Sequence, residues 1–252
     1  MVLNAPKCHL LVSSPTTSRQ QMYIEVGGQV IWESKCEILL GVSIDNDLTF
    51  HENVEILNKK ASQKLSALTR MTKIAPFEKK KILMNSFIQA QYGHCVEVWM
   101  FTSRKLNNKI NSIHKRALQA VYLDYSSTFA ELLEKDKSIT IHQRNIQLVA
   151  IEMFKTAKEI GPDIVRDLFT FNHGSRNDRT FHRPCVTTDQ FGKNSIRYFG
   201  TIVWDEMLPD KFKKIVKLEK FKNDIKEWIP EKCLCLLCRE YIGGVGYVTT
   251  FE

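Results

Sequence analysis

Three cysteines close to the end of the chain have a spacing that suggests a metal site. Cys235 and Cys238 form a C-x2-C pair, and Cys233 lies two residues ahead of it. Thiolates at this spacing bind a tetrahedral Zn²⁺ when one further Cys or His completes the set. The available fourth ligands lie in a polar segment: His173, His182 and Cys185. The alternative is that the thiols are buried or unpaired, because Cys is among the most buried residue types.

Two aspartates, Asp45 and Asp47, follow an apolar segment and precede a candidate helix. Carboxylates at the end of a strand can hold Mg²⁺ or Mn²⁺ against phosphate oxygens, as in metal-dependent transferases. Asp is also favoured in an ordinary turn ahead of a helix, since its side chain accepts nearby backbone hydrogen bonds. A metal site needs a third carboxylate, and the preceding strands offer only Glu25 and Glu33. We therefore favour the turn and expect no Mg²⁺ site.

Basic residues are concentrated in two clusters, which are candidates for nucleic-acid binding. The first basic cluster consists of Lys59, Lys60, Lys64, Arg70, Lys73, Lys79, Lys80 and Lys81, and the second of Arg104, Lys105, Lys109, Lys115 and Arg116. The formal net charge is +8, and Glu78 is the only acid between Lys59 and Lys81. Lysines along one helix face bind phosphate backbones without sequence choice, although a solvated helix face is the alternative.

The elements that position these residues are predicted from periodicity and turn signals. Residues 8–44 are rich in strand patterns: one strand in 7–14, a hairpin turning at Gly27 and Gly28, and a single apolar strand over 38–44. A capping box of Thr49 with Glu52 is predicted to open a long helix. These strands and the helices that follow predict an α+β fold with a small antiparallel region at the N-terminus.

Helix signals dominate the remainder of the chain. Leu57, Ala61, Leu65 and Leu68 form an apolar stripe, Pro76 is predicted to start a further helix, and capping boxes occur at Thr128 with Glu131 and at Thr140 with Gln143. Helices are also predicted over 196–204 and 218–228. Tyr92, Trp99 and Phe101 are more typical of a core than of base stacking. The predicted division is 1–49 strands, 50–169 helical region, 170–194 polar basic loop, and 195–252 helices with the cysteines.

The composition is that of an ordinary globular protein, with 252 residues and 43% apolar side chains. Apolar runs stay well short of the roughly 20 residues that a membrane span requires, and the first residues lack the pattern of a signal peptide. We therefore expect a soluble intracellular protein of the nucleus or cytoplasm with reduced cysteines. The sequence has no P-loop, dinucleotide fingerprint or nucleophile elbow.

Read in order, several segments resemble the C-terminal part of reverse transcriptases of non-LTR retrotransposons, the jockey-like group of LINE elements. The segments are NAPKCHLL, ILLGVSIDNDLTFH, KKASQKLSALTRM, QYGHCVEVWMFTSRKLNNKINSIHKRAL, ITIHQRNIQLVAIEMFK, FGTIVWDEMLP, FKNDIKEW and CLCLLCREYI. The resemblance covers nearly the whole chain. It implies the last strands of a palm, a helical thumb, and a C-terminal region ending in cysteines.

The resemblance also implies what this chain does. The Asp-Asp hairpin that holds the catalytic metal ions in this family lies before the first matching segment and is absent here, so we expect no polymerase activity from this fragment. The helix carrying Lys59, Lys60 and Lys64 resembles a thumb helix that contacts template and primer. RNA or DNA is the expected partner, and zinc at the final cysteines is the expected cofactor. A non-catalytic helical remnant that self-associates through exposed apolar surface is a further possibility.

Overall fold

A small N-terminal β region precedes the helices. The computed structural model describes residues 4–13, 20–172, 180–239, Tyr241 and 245–246. In these ranges one sheet has the strand order β1-β3-β2 and consists of β1 (Leu10–Leu11), β2 (Tyr23–Val26) and β3 (Gln29–Ser34). A second sheet pairs β4 (Cys36–Leu39) with β5 (Val42–Asp45). Only β1 with β3 is parallel among the described pairs. The predicted hairpin turn is confirmed, since Gly27 and Gly28 have φ of 58° and 78°.

The apolar segment 38–44 is a hairpin rather than the single strand that its sequence predicted. Leu40 and Gly41 have φ of 49° and 85°, and they reverse the chain so that Leu39 pairs with Val42. The prediction was wrong because a continuous apolar run carries no period, and because Leu rarely occupies the left-handed region that this turn requires. Ile38, Leu39 and Leu40 are consequently exposed to solvent.

Helices form most of the remaining structure. They are α1 (His51–Met71), α2 (Phe77–Phe87), α3 (Val96–Trp99), α4 (Arg104–Tyr122), α5 (Phe129–Asp136), α6 (Ile141–Ala157), α7 (Asp163–Arg166), α8 (Ile196–Ile202), α9 (Asp210–Lys213), α10 (Leu218–Asp224) and α11 (Leu236–Arg239). The 3-10 segments are Ala5–Lys7, Gln89–Tyr92 and Ile225–Glu227, and the π-helical turns are Asp189–Lys193 and Val203–Met207. The predicted α+β class is therefore confirmed. No described helix combines the length and the apolarity needed to cross a membrane.

Capping explains where several helices begin. The predicted boxes are present at α5, between Thr128 and Glu131, and at α6, between Thr140 and Gln143. The box predicted for α1 was wrong. Phe50 is the N-cap of α1 in the left-handed region and makes no side-chain cap. The Asp45 carboxylate instead accepts hydrogen bonds from the backbone N–H of Thr49 at 2.9 Å and of Phe50 at 2.6 Å.

One apolar core runs through the helical part of the molecule. Tyr92 and Trp99 are buried in it, as predicted, and Phe101 packs at its edge against Phe199. Phe154 of α6 stacks on Phe221 of α10 with ring centroids 4.1 Å apart. The core is therefore continuous across the polar segment 170–194, of which residues 173–179 lie outside the described part of the chain.

Candidate metal centre

The N-terminal turn of α6 positions the first residue of the candidate metal centre. His142 is the second residue of α6, and the Thr140–Gln143 capping box fixes the backbone on either side of it. Thr140 Oγ1 accepts from the Gln143 N–H at 3.1 Å, while Gln143 Oε1 accepts from the Thr140 N–H at 3.0 Å. Both residues are buried, so the box is shielded from competing water and holds the imidazole in one place.

Side chains of α6 also hold the chain that leads to the cysteines. Gln143 Nε2 donates to the Pro230 carbonyl at 3.1 Å, and Gln147 Nε2 donates to the Trp228 carbonyl at 2.6 Å. Three residues after Pro230 the chain reaches Cys233. Two buried amides of one helix therefore bring the cysteine segment beside His142.

The cysteine segment turns tightly around the imidazole. The Cys238 N–H donates to Cys235 Sγ at 3.4 Å, which closes the C-x2-C turn as α11 begins. His142 Nε2 lies 3.6 Å from Cys233 Sγ, 3.5 Å from Cys235 Sγ and 3.2 Å from Cys238 Sγ. The four ligand atoms all lie within 4.8 Å of one another, and all four residues are buried. All three thiols are free rather than joined in disulfides.

These distances fit one tetrahedral metal ion. Metal–sulfur bonds of about 2.3 Å and metal–nitrogen bonds of about 2.0 Å give tetrahedron edges of roughly 3.5–3.8 Å. The nitrogen–sulfur edges of this cluster lie close to that range, so a cation could enter with small side-chain adjustments. Four protein ligands would complete the coordination shell and leave no position for water or substrate. A site of this kind stabilises structure rather than performing catalysis.

The electrostatics of the cluster also favour a cation. Hydrogen bonds with Cys233 and Cys238 hold the pKa of Cys235 well below its usual value, whereas hydrogen bonds with Cys233 and Cys235 raise the pKa of Cys238. Burial by itself lowers the pKa of His142, but the sulfur atoms of Cys235 and Cys233 offset this and raise it to about 10. The pKa values of Cys235, Cys238 and His142 therefore depend on their neighbours in the cluster. A divalent cation can bind the thiols and the imidazole by displacing their protons.

No family model, curated protein or solved structure matches this chain.

The fourth ligand differs from the sequence prediction. His182 and Cys185 are exposed, so they cannot join a buried cluster, and His173 lies outside the described residues. His142 takes the position instead. It was missed because it lies 91 residues before Cys233 on a different element, where spacing rules for metal ligands do not reach. The buried capping box at Thr140 was the nearest available signal, since it placed His142 on a fixed helix turn.

Tyr241 and Gly246, which follow the cysteines, connect the cluster to α4. Gly246 lies against the His142 ring, where an added Cβ would come within 2.8 Å of His142 Cβ. The Gly246 carbonyl accepts from Asn107 Nδ2 at 2.6 Å and from Asn111 Nδ2 at 2.9 Å. Tyr241 OH donates to Asn108 Oδ1 at 2.7 Å. The centre thus connects α6, the cysteine segment and α4.

The Asp45 carboxylate is used in the turn that precedes α1. The two carboxylate oxygens of Asp45 accept three hydrogen bonds, including one from Thr49 Oγ1 at 3.1 Å. Within the described ranges, the cluster of His142 with Cys233, Cys235 and Cys238 is the only group of three or more such ligands close enough to share an ion.

The basic residues of the first cluster are mostly free at the surface. The exposed ones are Lys59, Lys60, Lys64, Arg70, Lys73 and Lys79, and none of them has an ion-pair partner in the described part of the chain. Lys80 is half-buried, and Lys81 is bound to the buried Asp136 at 2.9 Å. Lys60 and Lys64 lie one turn apart, so they share a side of α1.

In the second basic cluster, on α4, more of the side chains already contact other residues of the protein than in the first. Lys109 pairs with Glu55 of α1 at 2.7 Å, and the Arg104 guanidinium lies 5.2 Å from the centre of the Tyr241 ring. Lys115 is half-buried and already has an interaction partner, while Lys105 and Arg116 are exposed. The first cluster therefore offers the larger set of available cations.

Proposed function

We propose that this chain binds RNA or DNA through its first basic cluster and belongs to a reverse transcriptase of the non-LTR retrotransposon type. The observation that carries the binding proposal is a set of six exposed cations on α1, α2 and the turn between them, none of which has an ion-pair partner in the described part of the chain. Such cations release condensed counterions on contact with phosphates, which gives affinity without sequence choice. The ordered resemblance of the sequence segments supports the assignment to a reverse transcriptase.

We infer that the ion in the candidate centre is Zn²⁺ and that its role is structural. Three thiolates and one imidazole are the donor set that zinc prefers, and a closed tetrahedral shell is typical of structural zinc sites. In this proposal the module contributes nucleic-acid contact and has no polymerase activity of its own. The Asp45 carboxylate already accepts the N–H groups of Thr49 and Phe50 ahead of α1, which argues against the alternative of a transferase built on Asp45 and Asp47.

Fluorescence polarisation with a primer–template duplex tests the binding. The variant K59E/K60E/K64E is expected to bind more weakly and to lower the slope of log affinity against log salt by about 2 to 3, since each lost phosphate contact removes about 0.9. The matched control K7E/K35E/K217E makes the same change in net charge at exposed lysines outside both clusters. Equal losses in the two variants, or no binding by the unmodified chain at low salt, would refute the proposal.

A second candidate role is association between chains through the β region. Four large apolar side chains of this region are more than half exposed, which is unusual: Tyr23 and Trp32 on the paired strands β2 and β3, Ile38 on β4, and Leu40 in the turn after β4. Light scattering over a concentration series tests this role. A monomer at the highest concentration would exclude it, and an I38T/L40N variant that abolishes an observed dimer would support it.

A further inference from the structure

A cavity of about 500 Å³ lies beside α6, away from the metal centre. Its walls are the loop between α5 and α6, the middle of α6, the end of α10 and the 3-10 segment Ile225–Glu227. A helix turns by about 100° per residue, so Arg144 projects roughly 200° round α6 from His142. The cavity and the metal centre are therefore separate features on opposite sides of one helix.

Positive charge dominates the polar part of the cavity wall. Arg144, Lys137, Lys222 and Lys226 line the cavity, and Glu227 is the one acid among its lining residues. Lys222 is paired with Glu219 outside the wall, at 3.1 Å. Lys226 donates only to a neutral amide, Asn223 Oδ1, at 3.4 Å. The wall therefore carries more positive than negative charge.

Arg144 is the most unusual of these residues. Its guanidinium is half-buried and donates to Gln89 Oε1, a neutral acceptor, and it has no carboxylate partner among the described residues. A partly buried cation without a counter-charge is costly, because it has lost water and gained no opposite charge in return. An anion entering the cavity would supply that charge, and Arg is the side chain best shaped to bind a phosphate through two parallel hydrogen bonds.

The rest of the wall indicates the body of the ligand. Ile139, Leu148, Ile151, Ile225 and Ile229 form an apolar side of the cavity. Ser138 Oγ is buried and has no hydrogen-bond partner in the described part of the chain. The cavity thus combines cations, an apolar surface and an unused hydroxyl, and its volume is in the range of small-molecule sites.

We propose that this cavity binds a nucleotide, with the phosphate held by Arg144, Lys137 and Lys226 and the base lying against the isoleucines of the apolar side. A nucleotide is the class of ligand that joins a phosphate ester to a flat, weakly polar ring and carries ribose hydroxyls that can reach Ser138. The ligand is either a free nucleotide or one unit of a nucleic-acid strand, since both present the same groups. The site is independent of the first basic cluster and stands even if that cluster binds nothing.

Isothermal titration with adenosine 5′-monophosphate, adenosine, inorganic phosphate and dodecyl phosphate tests this site on the full chain. The monophosphate is expected to bind more tightly than the other three probes. The R144Q variant, and separately the K137Q/K226Q variant, should weaken its binding by roughly ten-fold or more, as charge-assisted hydrogen bonds are lost. The K220Q control changes an exposed lysine of α10 outside the cavity wall and should leave binding unchanged.

A second experiment distinguishes a free nucleotide from one unit of a nucleic-acid strand. It measures oligothymidylate binding to the K59E/K60E/K64E variant, in which the first basic cluster no longer contributes. Binding of the strand that R144Q weakens assigns the cavity to nucleic acid, whereas binding of the monophosphate alone assigns it to free nucleotide. The proposal is overturned if neither binds, or if R144Q and K137Q/K226Q both bind like the unmodified chain. Dodecyl phosphate binding as tightly as the monophosphate would overturn the nucleotide assignment in favour of an amphipathic lipid-like anion.

Discussion

Two buried histidines, His142 and His114, have pKa values that their surroundings shift in opposite directions. Burial lowers the pKa of His142, but the sulfur atoms of Cys235 and Cys233 offset this and raise it. His114 of α4 is completely buried, and neither of its ring nitrogens has a hydrogen-bond partner in the described part of the chain. Burial lowers the pKa of His114 to about 4, the charge on Asp136 partly opposes this, and the charge on Arg144 adds to it. His114 is therefore neutral in the folded protein.

The neutral state of His114 predicts a loss of stability in acid. Between an ordinary pKa near 6.5 and the folded value near 4, the unfolded chain binds the extra proton, so the free energy of unfolding falls as the pH falls. The loss across this window is about 3 kcal/mol at most, since each pKa unit corresponds to about 1.4 kcal/mol. Urea unfolding at pH 7 and pH 4.5 measures it. The H114L variant should lose less stability than the unmodified chain, and an equal loss in both proteins would contradict the assignment.

At the scale of the element, α1 depends on a residue that lies six positions before its first turn. Asp45 ends β5 and accepts the hydrogen bonds of Thr49 and Phe50, so one carboxylate joins the hairpin to the start of the long basic helix. The local sequence favoured Thr49 as the N-cap, yet Thr49 Oγ1 donates to Asp45 and its bond from the His51 N–H is long, at 3.4 Å. The start of the helix that carries most of the first basic cluster therefore depends on this carboxylate.

Replacing Asp45 should destabilise the start of α1. The D45A variant loses three hydrogen bonds and should lower the free energy of unfolding by about 1–2 kcal/mol, while D45N keeps one oxygen acceptor and should lose less. Denaturant unfolding measures the change. N46A is the neighbouring control, because the Asn46 side chain makes no hydrogen bond in the described part of the chain. Calorimetry with Mn²⁺ tests the alternative of a metal site at Asp45 and Asp47. A heat of Mn²⁺ binding that is present in the unmodified chain and absent in D45N would indicate that metal site.

At the scale of the whole molecule, the candidate metal centre joins segments that are far apart in the chain. His142 lies on α6, the cysteines follow α10, and the Gly246 carbonyl is held by Asn107 and Asn111 of α4. The short α11 buries Leu237 and Cys238 in the core. Metal binding would add to this contact in holding the cysteine segment against the bundle.

Removal of the metal should loosen this segment and lower the melting temperature. The protein is expected to contain about one zinc per chain by elemental analysis, and a chelator should expose the amides of Cys238 and Tyr241 to hydrogen exchange. The variants H142A and C238A should both lose zinc and stability. H182A and C185S are matched controls that should keep the metal, because both residues are exposed. Zinc loss in C185S with retention in H142A would contradict the ligand set.

The sequence alone determined the features that are encoded locally. The α+β class, the Gly27–Gly28 turn, the capping boxes at Thr128 and Thr140, and the burial of Tyr92 and Trp99 were predicted because backbone conformation and periodic burial depend on nearby residues. The three cysteine ligands were also predicted, because the C-x2-C turn is a local signal. The RNA or DNA partner stays a prediction.

Only the tertiary structure decided which distant residues meet. It placed His142 against the cysteines, folded 38–44 into a hairpin, and tied the residues ahead of α1 to Asp45. It also placed Arg144 in a cavity where no described carboxylate pairs with it. None of these has a sequence signature, because each depends on packing between elements rather than on spacing within one. The physical reason is that contacts between distant residues form when the apolar faces of helices and strands are buried against each other. The sequence around a single His or Arg does not indicate which distant residue it will contact.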